Sequence, residues 1–188
     1  VEELELDDKA GTARLPRSGM ALDLGALAKG YMADMLKAFL MERGCTSAVL
    51  DLGHNILLIG EKPGRNPFSI GVRDPEGGEG DISVVLYARD VSVVTSGTYE
   101  RFFERDGVRY AHILDPYTGA PADTGVSSVT IISQNSLSGD ALSTTCLLLG
   151  KERGLALIES LENVEALFLM EDGTRTMSSG FEAYLEKK

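Results

Sequence analysis

Residues 48–60 read Ala48-Val-Leu-Asp-Leu-Gly-His-Asn-Ile-Leu-Leu-Ile-Gly60, two short apolar runs, Ala48–Leu52 and Ile56–Ile59, parted by a Gly-His-Asn turn. Runs this short, apolar or β-branched and bounded by turn residues, read as strands rather than helices. The same grammar continues through Phe68–Val72, Ile82–Leu86 and Val91–Thr95, so the middle of the chain is predicted to form strands of one sheet, mostly antiparallel. Upstream, Leu27, Tyr31, Met35, Ala38 and Phe39 recur at helical spacing within Ala26–Arg43, and Gly44 is the natural stop. Ala21–Gly25 before it is expected to be a strand running into a turn, and Val1–Asp8 with Ala13–Leu15 a polar hairpin. Downstream, Tyr99–Arg105 and Val108–Leu114 flank Asp106-Gly107, a strong hairpin dipeptide. Ser127–Ser133 follows as a strand, Ser138–Leu149 and Glu152–Leu161 as helices, and Val164–Met170 with Thr174–Met177 as a closing hairpin. The sum is an α+β domain, a mostly antiparallel sheet with helices packed on one face.

At 188 residues and 43% hydrophobic, the chain has the size of one domain with one core. Its formal charge of −11 argues against a nucleic-acid surface, because phosphate backbones are held by clustered Lys and Arg. An anionic ligand would have to be held by local donors or a metal. Cys45 and Cys146 lack ligand-like spacing and are expected to be buried thiols, with nothing to support a disulfide. The sequence has no apolar stretch of membrane-spanning length, no signal-like region and no initiator Met, and so reads as a mature form or a fragment.

Chemistry concentrates in two segments, His112-Ile-Leu-Asp115-Pro-Tyr-Thr-Gly119 and Gly139-Asp140-Ala-Leu-Ser-Thr144. Asp140 and Thr144 stand four residues apart, hence on one helix face, and both present oxygen, as hard cations such as magnesium require. The plainer alternative is that Asp140 only helps cap its helix. His112 follows strand alternation with Tyr110 and Leu114 and lies beside a Pro-containing turn, where a general base could meet a loop-bound substrate; many strand histidines are simply structural. Thr95-Ser96-Gly97 offers hydroxyls at a strand end, and Lys29 offers a cation near a helix N-terminus, both suited to phosphate. An internal echo, Leu22-Asp-Leu-Gly25 and Leu50-Asp-Leu-Gly53, suggests two loops opening on the same edge, although such endings are also common turn chemistry. Together these features point to a metal-assisted phosphate site.

The ordered set Asp23-Leu-Gly-Ala-Leu-Ala-Lys29-Gly-Tyr31, Asp51-Leu-Gly53, Thr95-Ser-Gly97, His112 to Gly119 and Asp140 to Thr144 resembles the FAD:protein FMN transferases, the ApbE family of flavin transferases once linked to thiamine biosynthesis as a lipoprotein. The resemblance covers nearly the whole chain but corresponds to the later part of a family member, so residues 1–188 are expected to be a single flavin-transferase domain without the family's N-terminal section, which helps enclose the nucleotide. It implies an ApbE-like, T-fold-like architecture. It further implies magnesium on the backbone carbonyl of Ala26, the carboxylate of Asp140 and the hydroxyl of Thr144. FAD, as substrate, would be lined by Asp23, Lys29, Thr95, Ser96 and Leu114, with His112 assisting transfer. The implied reaction breaks the pyrophosphate of FAD, moves FMN to a Thr or Ser hydroxyl of a target flavoprotein subunit and releases AMP. The implied setting is extracytoplasmic, periplasmic or lipoprotein-anchored, with the membrane met only through an anchor outside this chain. Two departures stand out: Ala26 replaces a second glycine, and His54 stands where a small residue is expected. An FAD pyrophosphatase yielding FMN and AMP, and a non-catalytic flavin-binding module, are the alternatives.

Overall fold

The computed structural model describes residues 3–186 except 79, 100, 101, 106 and 107. In chain order its elements are β1 (Glu5–Asp7), β2 (Thr12–Arg14), α1 (Gly25–Glu42), β3 (Ser47–Asp51), β4 (Asn55–Gly60), β5 (Phe68–Arg73), β6 (Ile82–Ala88), β7 (Ser92–Gly97), β8 (Phe102–Arg105), β9 (Val108–Ala111), β10 (Val126–Ser133), α2 (Ser136–Glu159), β11 (Glu165–Met170), β12 (Arg175–Met177) and a 3-10 turn, Phe181–Tyr184. The main sheet runs β12-β11-β10-β7-β4-β3, with every neighbour antiparallel. β10 sits at its centre, and all eight of its residues are buried. That pattern requires cover on both faces. On one face α2 packs Cys146, Leu147 and Ile158 against Val129, Ile131 and Phe168, and α1 lies on α2 and β4. This is the α+β arrangement the sequence predicts, with both helices on one side.

The expectation of one sheet needs correction. β5 and β6 pair with each other and lie across the other face of the main sheet, where Phe68, Ile70, Val72 and Leu86 meet Leu58, Val93, Ile132 and Leu167. The alternating run of β5 identifies a strand with one buried face, but not which strand it will pair with. β1–β2 and β8–β9 are likewise separate hairpins, and the Asp106-Gly107 tip expected for the latter lies outside the described residues.

Ala21–Leu24, expected to be a strand, has no ladder partner among the described residues. Its geometry comes from Asp23, whose Oδ1 accepts from the Gly25 amide at 2.7 Å and turns the chain into α1. The echoed segment does the same: Asp51 Oδ1 accepts from the Gly53 amide at 2.9 Å. The repeat is therefore one turn device used twice. α1 ends as its glycine predicts. Gly44, at φ 86°, donates to the Met41 carbonyl and Cys45 to the Leu40 carbonyl, a Schellman ending. The apolar stripe that marks α1 as helical is not the side it buries, since Gly30 and Ala33 face inward while Tyr31, Met35 and Phe39 remain about half exposed. α2 is broken at Gly150 (φ 76°, ψ 175°), which divides it where the sequence placed the boundary between two helices. Thr124 Oγ1 donates to the Leu147 carbonyl at the break.

Both cysteines are free thiols, and only Cys146 is fully buried; Cys45 is half-buried at the start of the loop after α1. Burial pushes the Cys146 thiol up to about 11. A thiol raised on folding contributes stability below its unfolded range, and that contribution is lost as pH climbs toward the folded value. Native protein treated with iodoacetamide at mildly alkaline pH is therefore expected to alkylate at Cys45 and not at Cys146, with peptide mass mapping as the readout. Equal labelling of the two in folded protein would contradict the packing around α2.

Candidate functional site

The site is built where α1 and α2 meet above the end of β7. Gly30 allows the meeting: a Cβ there would lie 2.4 Å from the Ser136 carbonyl oxygen and 2.7 Å from the Leu137 Cα. At this contact the Gly30 amide, which in a regular helix serves the Ala26 carbonyl, donates to Asp140 Oδ2 at 2.9 Å. One turn further along α1, Asp34 accepts from the amides of Ser136 and Leu137 at 2.8 and 2.9 Å and so caps α2 from outside its own chain segment. Asn135 supplies the ordinary cap, accepting from the Ser138 amide. α1 and the head of α2 are thus joined by two carboxylates, each exchanged for a backbone amide of the other helix.

Asp34 gives a direct test of that joint. Because both of its oxygens satisfy amides at a helix N-terminus, Asp34→Ala is expected to cost about 1–2 kcal/mol of stability, the scale of a lost N-terminal cap. Urea unfolding measures it. A change within error would mean that water replaces the cap without cost.

Above this joint lies a cleft of about 760 Å³. Asp23, Ala26 and Lys29 come from the head of α1; Thr95 and Ser96 from β7; His112 and Leu114 from the segment after β9; Asp140 and Thr144 from α2. All nine residues singled out in the sequence line this one cleft, although they come from four separate stretches of chain. Asp140 is 3% exposed, and among the described residues its second oxygen, Oδ1, accepts no hydrogen bond. Ser96 Oγ bonds with Ser143 Oγ at 2.8 Å and with Thr144 Oγ1 at 3.2 Å, joining β7 to α2 by a chain of hydroxyls. Thr95 Oγ1 pairs with Thr130 Oγ1 across the sheet at 2.8 Å. Lys29 Nζ donates to the Gly53 carbonyl at 3.2 Å, which ties the two echoed turns together. His112 lies one residue past β9, exposed between buried Ala111 and Ile113, so strand alternation persists beyond the ladder.

The turn after His112 is built by Asp115. Its Oδ1 accepts from the Thr118 and Tyr117 amides, and these bonds, led by that of Thr118, hold its carboxyl below the usual aspartate range. Gly119, at φ 70°, closes the loop by donating to the Asp115 carbonyl. His54 adopts φ 60°, a left-handed conformation that a residue without a Cβ takes most readily. Sequence reasoning missed Asp34, Ser143, Arg73 and Tyr99. None carries a local signal, since each acts through a partner far away in the chain.

A nearly buried carboxylate with an unpartnered oxygen, neighbouring hydroxyls and two helix heads define an α+β domain able to hold a hard cation and phosphate oxygens. Among the described residues no three His, Cys, Asp or Glu side chains gather as a metal cluster, so any cation here would rest on one carboxylate with hydroxyl and carbonyl oxygens.

The chain belongs to the ApbE family, whose model matches residues 1–168. A Treponema pallidum protein named FAD:protein FMN transferase is 47% identical over 177 residues, covering 90% of this chain and 49% of its own length. A Klebsiella pneumoniae protein of the same name is 40% identical, covering 95% and 54%. Among solved structures, the ApbE protein of Thermotoga maritima superposes with a TM-score of 0.89 at 37% identity, over 98% of this chain and 60% of that one. The flavin transferase ApbE from Vibrio cholerae gives 0.84 at 29% identity, over 98% and 58%. The chain spans about half the length of the curated relatives it matches.

Proposed function

We propose that this chain carries the transfer site of a flavin transferase that moves FMN from FAD to a Thr or Ser hydroxyl of a target flavoprotein subunit and releases AMP. The observation that carries the reading is the convergence of all nine expected residues on one cleft; the printed names of the relatives agree with it. Magnesium fits on the Ala26 carbonyl, Asp140 and Thr144, because all three line one cleft and Asp140, nearly buried, keeps one oxygen unpartnered. When bound, magnesium would neutralise charge on the pyrophosphate. The chain's own groups do the rest. Thr95 and Ser96 stand at the strand end as phosphate donors, while Lys29 adds a cation whose position is set by Gly53. His112 takes the proton of the acceptor hydroxyl as its oxygen attacks the FMN phosphorus. The bond from that phosphorus to the bridging oxygen breaks, and AMP leaves with the electron pair. An extracytoplasmic setting belongs to the same proposal.

Incubation with FAD, magnesium and a Thr-containing target peptide, read by mass, tests it. A peptide gaining the mass of an FMN group supports transfer. Free FMN and AMP without peptide modification would make the protein a pyrophosphatase, and neither product would leave a flavin-binding module.

A further inference from the structure

We infer that Arg73 binds the phosphate of the departing nucleotide, at the junction of the main cleft with a second cavity that Asp140 does not line; this rests on the flavin-transfer reading and assigns its leaving-group side. The main cleft opens into a second cavity of about 340 Å³ between the β5–β6 hairpin and the main sheet, and Arg73, Tyr99, Thr95 and the Gly53-His54 turn belong to the walls of both. Arg73 stands at the junction for three reasons. It is the last residue of β5, and the β5–β6 register slips between Val72 and Arg73. Such irregularities re-aim a side chain away from the direction strict alternation would give it. Its guanidinium then rests 5.5 Å from the centroid of the Tyr99 ring, a shelf that favours a cation. The shelf in turn depends on Gly97, because a Cβ there would come within 2.6 Å of the Tyr99 ring. Glycine at the end of β7 thus seats a ring, and the ring seats the guanidinium.

Charge completes the argument. Lys29 and Arg73 are the Lys and Arg side chains in the main cleft wall, among the described residues, and Lys29 spends a donor on the Gly53 carbonyl. The Arg73 side chain forms no ion pair or hydrogen bond among the described residues, its contact being with the Tyr99 ring. A guanidinium fork left without a carboxylate in a chain of net charge −11 matches the bidentate geometry of phosphate oxygens. The second cavity beside it has an apolar wall from Ile56, Ile70 and Val93, suited to a purine. Transfer breaks one P–O bond and sends AMP away with that oxygen's electron pair, so new negative charge appears on the leaving phosphate, where Arg73 waits. Lys29 and Asp140 line the main cleft but not the second cavity, and are assigned to the phosphoryl group that moves.

The test is AMP and FMN binding to the whole chain by calorimetry with magnesium present, needing no turnover. Arg73→Ala is expected to weaken AMP by about 10–100-fold, the scale of a lost charge-assisted pair, while FMN changes little. Arg73→Lys should recover only part of the loss, and Tyr99→Leu, which keeps Arg73 but removes the ring that seats it, should weaken AMP by less than Arg73→Ala. Unchanged AMP affinity in Arg73→Ala, an equal loss for FMN, or no AMP binding by the unaltered chain would each overturn the assignment. If AMP binding depends on Arg73 yet no peptide is modified, the nucleotide subsite stands and the transferase reading falls.

Discussion

Asp140→Ala is expected to remove metal-dependent turnover altogether and to loosen the fold as well. It deletes the one carboxylate of the proposed magnesium set, and a hard cation held by only a hydroxyl and a carbonyl would compete poorly with its own hydration. It also strips the Gly30 amide of its acceptor at the close contact between α1 and α2. An unsatisfied buried amide costs about 1–3 kcal/mol. The two effects separate in Asp140→Asn, whose amide oxygen can still accept from Gly30 but carries no charge for the metal. Magnesium titration by calorimetry and a thermal melt on both variants are the measurements. Unchanged magnesium affinity in either would sink the metal assignment, whereas an unchanged melt for Asp140→Ala would mean that the helix joint rests on Asp34 alone.

His112→Ala should slow transfer by about 10²–10⁴-fold, the usual contribution of a positioned general base, while FAD and magnesium bind as before. The structural motive is its placement. His112 lies outside the Ala26, Asp140 and Thr144 set but on the same cleft wall as Leu114, immediately before the turn that Asp115 holds closed. The diagnostic split is a fall in single-turnover rate with binding constants retained. Wild-type transfer by the variant would return His112 to a structural role.

Much of this architecture was legible because periodicity reports local geometry well. α1, its Gly44 stop, the division of α2 at Gly150 and the closing β11–β12 hairpin all follow from patterns within a dozen or so residues. What failed was partner choice. The Phe68–Val72 alternation shows that one face is buried, but packing across a sheet and pairing at its edge produce the same alternation. Likewise, the strand expected at Ala21–Gly25 has the composition of a strand without a neighbour to bond. At the cleft, Asp140, Thr144, His112 and Lys29 stand out in the sequence because motifs surround them, and the structure brings them to one cavity. Asp34, Ser143 and Arg73 do not, because their roles consist of contacts with Ser136, Ser96 and Tyr99, which no local window contains.

The bonds that join α1 to α2 have a temporal side. Gly30 and Asp140 are 110 residues apart, and Asp34 and Ser136 are 102 apart. At a synthesis rate of about 5–20 residues per second, the first helix waits roughly 5–20 s before its partner is made. Until then the carboxylate of Asp34 has no amides to hold, the Gly30 amide has no carboxylate, and the cleft has only one of its walls. Contacts of this separation also form late in refolding, after the loop-closure cost has been met. On the proposed reading, a metal and a nucleotide would find their cleft complete only once α2 has been made, so they would act on the assembled chain rather than on its early folding.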